Sequence, residues 1–323
     1  MIAILVIALA AGAASALMFA SIISGALISL VLFYLAPLPL MVAALGWGPL
    51  AATIGGITAA TGLGLIFGLP YCIAFAITVA LPAWWLGHLA LLGRPVANVE
   101  SGNGAAPVAP ALEWYPVGRI LLWIAGFAIL TTIAALLTLG SDAEAITGAL
   151  RRGLLRMLGP RDAESAGDVE RWVDALVVVA PAAAATVAMM TLTLNLWLAA
   201  KITATSARLH RPWPDLRSAA LPPMTLVALS IALAFCFAGG LPALLAQIAA
   251  TTLMMAYAFT GFAVLHTLTL ALKSRAFLLS CTYAIVMMFG WPVLAMVALG
   301  VTDAVFGIRQ RYLRTRPPPL PAS

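Results

Sequence analysis

Hydrophobic positions along this chain come in long blocks, without the short alternations of a soluble fold. Residues 2–36 are almost continuously apolar, with Ser21, Ser24 and Gly25 near the middle. A membrane-spanning helix needs about 20 apolar residues, so this run is long for one span and short for two. Pro37-Leu38-Pro39 is expected to break the helix, because proline removes an amide donor. Residues 40–69 form a second run, interrupted by Gly46-Trp47-Gly48-Pro49, and Pro70 opens a third that ends near Arg94. Pro82 should kink that third run unless neighbours satisfy the freed carbonyl.

The first polar stretch is 94–118, read as a loop. Further spans are expected at 119–139, 173–199, 221–238, 243–271 and 276–308. The last of these holds Gly290-Trp291-Pro292 at its middle, a turn signal that favours two short arms over one long helix. The pattern therefore predicts an all-α, polytopic transmembrane helical bundle of about eight to ten spans, some of them broken or short. It divides into uncharged helices (1–93), a loop (94–118), further helices (119–308) with an amphipathic extramembrane segment at 141–171, and a basic, proline-rich tail (309–323).

Composition agrees. The 323 residues are 63% hydrophobic and 9% charged, and mean hydropathy is +1.08. A soluble domain carries about a quarter charged residues, and a disordered chain needs low hydrophobicity with high charge, so both classes are excluded. Residues 1–93 contain no Asp, Glu, Lys or Arg. The amino terminus thus lacks the basic region of a secretory signal, and Ile2 onward is expected to be retained as a span.

The 17 Lys and Arg residues set an expected orientation. Four groups are expected on the cytoplasmic side: Arg94 and Arg119; Lys201, Arg208, Arg211 and Arg217; Lys273 and Arg275; Arg309, Arg311, Arg314 and Arg316. Against these twelve stand five between 151 and 171, placing both termini in the cytoplasm. That arrangement needs an even number of crossings before residue 94, so one run must double back; 2–36, bent near Ser24-Gly25, is the candidate. No basic block interleaves with aromatics, so the expected partners are the lipid bilayer and other membrane subunits, with no nucleic acid.

The segment 141–171 carries most of the acids. Ser141-Asp142-Ala143-Glu144 reads as a capping box, with Ser141 as the cap. Behind it, Ile146, Leu150, Leu154, Met157 and Leu158 form a stripe with Arg151, Arg152 and Arg156 off it, as in a helix on a membrane surface that Gly159-Pro160 ends. Such a helix is either a lid over a cavity or a solvated connector.

Small residues at spacing four are the sharpest pattern. Gly48, Ala52, Gly56, Ala60, Gly64 and Gly68 share one register, with Gly55, Ala59 and Gly62 alongside. A bare helix face lets another backbone approach, either within the chain or from another subunit. Ala8, Gly12, Ala16, Ala20 and Ser24 form a second stripe.

Polar residues inside spans are costly and so informative. They are His88, Asn195, Gln247, His266, Asp303, Tyr257 and Tyr283. Asp303 lies six residues before Arg309, suited to a structural salt bridge. Gln247, His266 and Tyr257 are the candidate ligand-binding set, with an interhelical hydrogen bond as the other reading of each. Cys72, Cys236 and Cys281 read as small apolar residues, and no clustered ligands suggest a metal or other cofactor. HExxH, GxSxG and phosphate-loop patterns are missing, so no catalytic residue is assigned and a non-enzyme is expected.

Several motifs carry a resemblance: Ala36-Pro37-Leu38-Pro39, Gly46-Trp47-Gly48, Gly55-Gly56, Leu81-Pro82-Ala83-Trp84-Trp85-Leu86-Gly87-His88, and Gly300-Val301-Thr302-Asp303 with Arg309-Gln310-Arg311. With these the chain resembles the YybS-like bacterial membrane proteins, most closely at its two ends. That family is similar to the substrate-binding S subunits of energy-coupling-factor transporters and to the rod-shape protein MreD. The resemblance implies a bacterial inner-membrane protein. It implies either a binding or transport subunit for a small, mostly apolar solute, or a scaffold that packs against partner membrane proteins. In S subunits alanine-rich stripes on the first helix contact the transmembrane partner, and Ala8, Gly12, Ala16 and Ala20 match that pattern.

Overall fold

The computed structural model describes residues 2–96, 111–158 and 166–314. The chain is an all-α polytopic bundle, and among the described residues seven helices are long and apolar enough to cross a membrane, or eight if a bent pair near the carboxyl end counts as one. Two compact units make it up, Met1–Phe127 with Met190–Pro214, and Ala128–Met189 with Asp215–Ser323.

In the first unit the helices are α1 (Ile2–Ala20, extended by a tight turn to Ser24), α2 (Leu27–Leu35), α3 (Pro37–Trp47), α4 (Pro49–Phe67), α5 (Leu69–Phe75) and α6 (Leu81–Leu91). Glycines at positive φ mark the true breaks: Gly25 (+68°), Gly48 (+93°) and Gly68 (+93°). These backbone shapes disfavour any side chain, and the proline after Gly48 and Gly68 fits the first turn of the next helix.

Pro37 does not break the chain, contrary to the sequence expectation. α2 and α3 together form one apolar span, Leu27–Trp47. The carbonyl that Pro37 cannot serve belongs to Phe33, and the Ala36 amide serves it instead at 3.2 Å. Pro82 is accommodated similarly, because a π-helical turn over Ala76–Ala80 shifts the ladder just before it. The expected doubling-back of 2–36 does occur at Ser24-Gly25. Four long apolar helices result before residue 93.

α1 packs on α4 with almost no side chain between them. A Cβ added at Gly12 would collide with the Gly55 carbonyl oxygen, and one at Gly55 with that of Ala8. Ala8, Ala43 and Ala51 form the adjoining core, with Trp47 and Ile54 against it. Nearby, Phe19 packs edge-on to Phe75 with ring centres 5.4 Å apart. Asn195 is fully buried, and its Nδ2 donates to Tyr34 O and Thr191 O, both at 2.8 Å.

The ends of the 94–118 stretch pair as two short antiparallel strands, β1 (Gly93–Val96) and β2 (Ala111–Trp114), joined by an Arg94–Glu113 ion pair. Cations of the basic loop lie over tryptophan rings: Lys201 on Trp213, Arg208 on Trp47 and Arg211 on Trp114. Arg211 also donates to Ala90 O at 3.2 Å.

Two helices are divided between the units, α7 (Val117–Leu137) and α9 (Ala166–Thr205). The remaining helices belong to the second unit: α8 (Ala143–Leu158), α10 (Met224–Phe235), α11 (Gly240–Leu268), α12 (Arg275–Phe289), α13 (Val293–Phe306) and α14 (Ile308–Arg314). Asp142, not Ser141, caps α8; its Oδ1 accepts from the Ala145 amide at 2.8 Å. The one-residue shift follows from where the first helical turn closes. Ile146 is fully buried against Leu136, Ala185 and Ile248, so the start of α8 docks on protein. Met157 at the other end of the stripe is 84% exposed. The expected stop at Gly159-Pro160 lies outside the described residues. Asp168, Glu170 and Asp174, expected before or at the edge of a span, already sit on the first turns of α9.

Residues 276–308 form two helices, and Gly290 at φ +70° separates α12 from α13. α13 packs closely on α11 through two glycines. A Cβ on Gly261 would strike the Met296 carbonyl oxygen, and one on Gly300 that of Tyr257.

Candidate functional site

The second unit holds a cavity of about 830 Å³ formed by α11, α13, α14 and the segment 215–221. That size suits a small organic molecule, for which pockets run from roughly 300 to 1,000 Å³. It arises because α13 does not continue straight. Gly307 takes a left-handed conformation at φ +63°, and α14 turns away from α13 by 67°.

Asp303 and Arg309 hold this corner. Asp303 is 7% and Arg309 8% exposed. The guanidinium reaches Asp303 Oδ2 through Nε at 2.8 Å and Nη2 at 2.7 Å, while Asp303 Oδ1 accepts the Arg309 amide at 2.8 Å. Arg309 Nη1 donates to Arg217 O at 2.6 Å and Ala219 O at 2.9 Å. One side chain thus fastens the bent helix to the opposite wall. Tyr312 adds a second tie by donating to Leu268 O at 3.1 Å.

On that wall Asp215 caps a short turn, its Oδ1 accepting from the Arg217 amide at 3.1 Å and Nε at 2.9 Å. The Arg217 side chain, more than any other group, holds the Asp215 carboxyl below the usual carboxylate range. Gly300 is a wall residue beside Tyr257 and Thr260, and its missing side chain lets α13 lie against α11 there.

No family model, curated protein or solved structure matches the chain.

The sequence-chosen ligand set is not brought together. Tyr257, 1% exposed, lines the cavity. Gln247 is exposed elsewhere on α11. His266 is half-buried and hydrogen-bonds Tyr283 Oη through Nε2 at 2.9 Å, outside the cavity wall. Asp303 makes the salt bridge its spacing suggests. Among the described residues no three His, Cys, Asp or Glu side chains gather as a metal site.

Of the glycine register, Ala52, Gly56 and Ala60 are buried on α4. A Cβ on Gly56 would approach that of Ala80 at 3.1 Å, and one on Gly64 that of Cys72 at 3.0 Å. Gly48 and Gly68 lie outside the helix, at its two turns, so the helical part of the stripe is shorter than the pattern suggests. The tightest approach uses Gly55, one position over. Periodicity does not pick out Gly300, Thr260, Arg311 or Arg314, which also line the cavity. Gly261 and Gly300, single glycines inside otherwise bulky apolar runs, are the signal that could have found the α11–α13 contact.

Proposed function

We propose that this chain is a non-catalytic binding or transport subunit of a bacterial inner membrane, taking a small, mostly apolar solute. The cavity beside Tyr257 carries this reading, because a concave site of this size with both apolar and polar walls is the usual form of a small-molecule site. Apolar side chains such as Leu221, Val305 and Phe306 share its wall with Thr260, Tyr257 and charged side chains such as Arg311, as expected of a site that binds an apolar body and orients it by polar groups. The resemblance to YybS-like proteins, a family itself distantly similar to energy-coupling-factor S subunits, implies the same reading.

Full-length protein purified from its own membranes tests the proposal by native mass spectrometry. A bound small molecule should be present in the parent and lost in Ala304→Trp, which fills the cavity wall. A parent that carries nothing, and whose stability no candidate solute changes, would contradict it.

One observation favours the second reading, a scaffold similar to MreD. α12 has no buried residue, with Phe277 70% and Met287 83% exposed. A helix so little covered by its own chain is available to a partner helix as well as to lipid. Co-purification of a membrane partner that Phe277→Ala and Met287→Ala release would favour the scaffold.

A further inference from the structure

We infer that the ligand of this cavity bears an anionic group, a phosphate or carboxylate on an apolar body, bound by Arg311 and Arg314. The inference rests on the cavity being a binding site.

Four arginines line the cavity: Arg217, Arg309, Arg311 and Arg314. Among the described residues only two acids do, Asp215 and Asp303, and these are also the only Asp or Glu in the sequence between residues 175 and 323. Both are already paired, Asp215 with Arg217 and Asp303 with Arg309. Arg309 is also spent, since it donates to two carbonyls besides the carboxylate. Arg311 and Arg314 therefore have no carboxylate partner among the described residues. They stand three apart on α14, so they share one helix face, where like charges repel. A group that supplies negative charge between them relieves that repulsion. Arginine suits this task because its planar fork grips two oxygens at once.

The apolar half of the ligand follows from the neighbours. Phe306 is 57% and Leu313 54% exposed, and both line the same cavity as the two cations. Such a rim fits an amphiphile whose charged head enters and whose tail stays against the apolar helices. An anionic phospholipid and a soluble organic anion share this chemistry.

The full-length chain in neutral detergent tests the inference by titration with short-chain phosphatidylglycerol, the matching phosphatidylcholine and inorganic phosphate. Phosphatidylglycerol should raise the heat stability and phosphatidylcholine should not. The double variant Arg311→Gln/Arg314→Gln should bind phosphatidylglycerol about thirtyfold more weakly, as expected for two cations facing one anionic head. Arg311→Lys/Arg314→Lys should keep most of the binding, and Lys273→Gln, outside the cavity, all of it. Inorganic phosphate that protects as well as the lipid supports the anion site and assigns it to a soluble ligand. Lipid binding unchanged in the Gln double variant overturns the inference. Phosphatidylglycerol and phosphatidylcholine that bind alike, and are both lost in Ala304→Trp, overturn the anion preference while leaving the cavity a binding site. Binding that needs the arginines yet survives Ala304→Trp overturns the placement in the cavity.

Discussion

Asp303 and Arg309, six residues apart, meet at 2.7 Å across the 67° bend between α13 and α14. The pair closes the corner around the cavity, and both partners are nearly excluded from solvent. Removing one partner of a buried pair leaves the other charge without compensation, which costs about 3 to 5 kcal/mol. Asp303→Asn should therefore sharply lower the melting temperature in detergent. A double change, Asp303→Leu with Arg309→Met, should recover much of that loss, because no charge stays buried alone. Parent-like melting of Asp303→Asn would show that the bend stands without the pair.

The glycines of unit one make opposite predictions for the same substitution. Gly12→Ala places a methyl group against the Gly55 carbonyl, whereas a Cβ at Gly62 meets nothing within 4 Å. Alanine is the better helix former by about 0.8–1 kcal/mol, so Gly62→Ala should be neutral or stabilising. Gly12→Ala should destabilise by about 1–3 kcal/mol, the usual range for overpacking. Gly56→Ala and Gly64→Ala should fall between, since Ala80 and Cys72 must give by a few tenths of an ångström. Thermal melts of the four variants rank them. Equal destabilisation by Gly12→Ala and Gly62→Ala would contradict the packing described.

Three turns at Gly25, Gly48 and Gly68 separate four long apolar helices, so successive turns should emerge on opposite membrane faces. In a background free of Cys72, Cys236 and Cys281, Ala26→Cys and Leu69→Cys should react with an impermeant thiol reagent from one side. Leu50→Cys should react only from the other. Labelling of all three from one side would remove α2–α3 and α4 as full crossings.

Long uniform apolar runs fix helices in lipid, and for that reason the all-α architecture was legible in the sequence. Chain reversals were harder to place. Proline looks like the breaker at Pro37, yet Ala36 supplies the missing bond to Phe33, and the break sits at Gly25, where positive φ is needed. Asp303 was expected to pair with a basic residue of the tail because it stands near a helix end, and the partner is Arg309, six residues on. The cavity itself was not legible. Its wall joins residues near 217, 257, 300 and 311, and no local pattern reports that juxtaposition. Tyr257 was found as a polar residue in a span. His266 satisfies its ring with Tyr283 instead, the commoner fate of a polar side chain between helices.

Filling the cavity should separate binding from folding. Gly300→Leu cannot be accommodated against the Tyr257 backbone and should both destabilise the protein and abolish binding. Ala304 is exposed on the wall, so Ala304→Trp should keep the parent melting temperature in the absence of ligand and lose only the shift that ligand produces. An Ala304→Trp variant that retains the full ligand shift would place the ligand elsewhere.

The most direct measurement is an experimental density map of the full-length chain in nanodiscs made from its native lipids. The map should hold a discrete non-protein feature between Tyr257, Gly300 and the Arg311–Arg314 face, with the Asp303–Arg309 pair intact behind it. A map in which α14 swings in and side chains fill that space, leaving no room for a ligand, would contradict it.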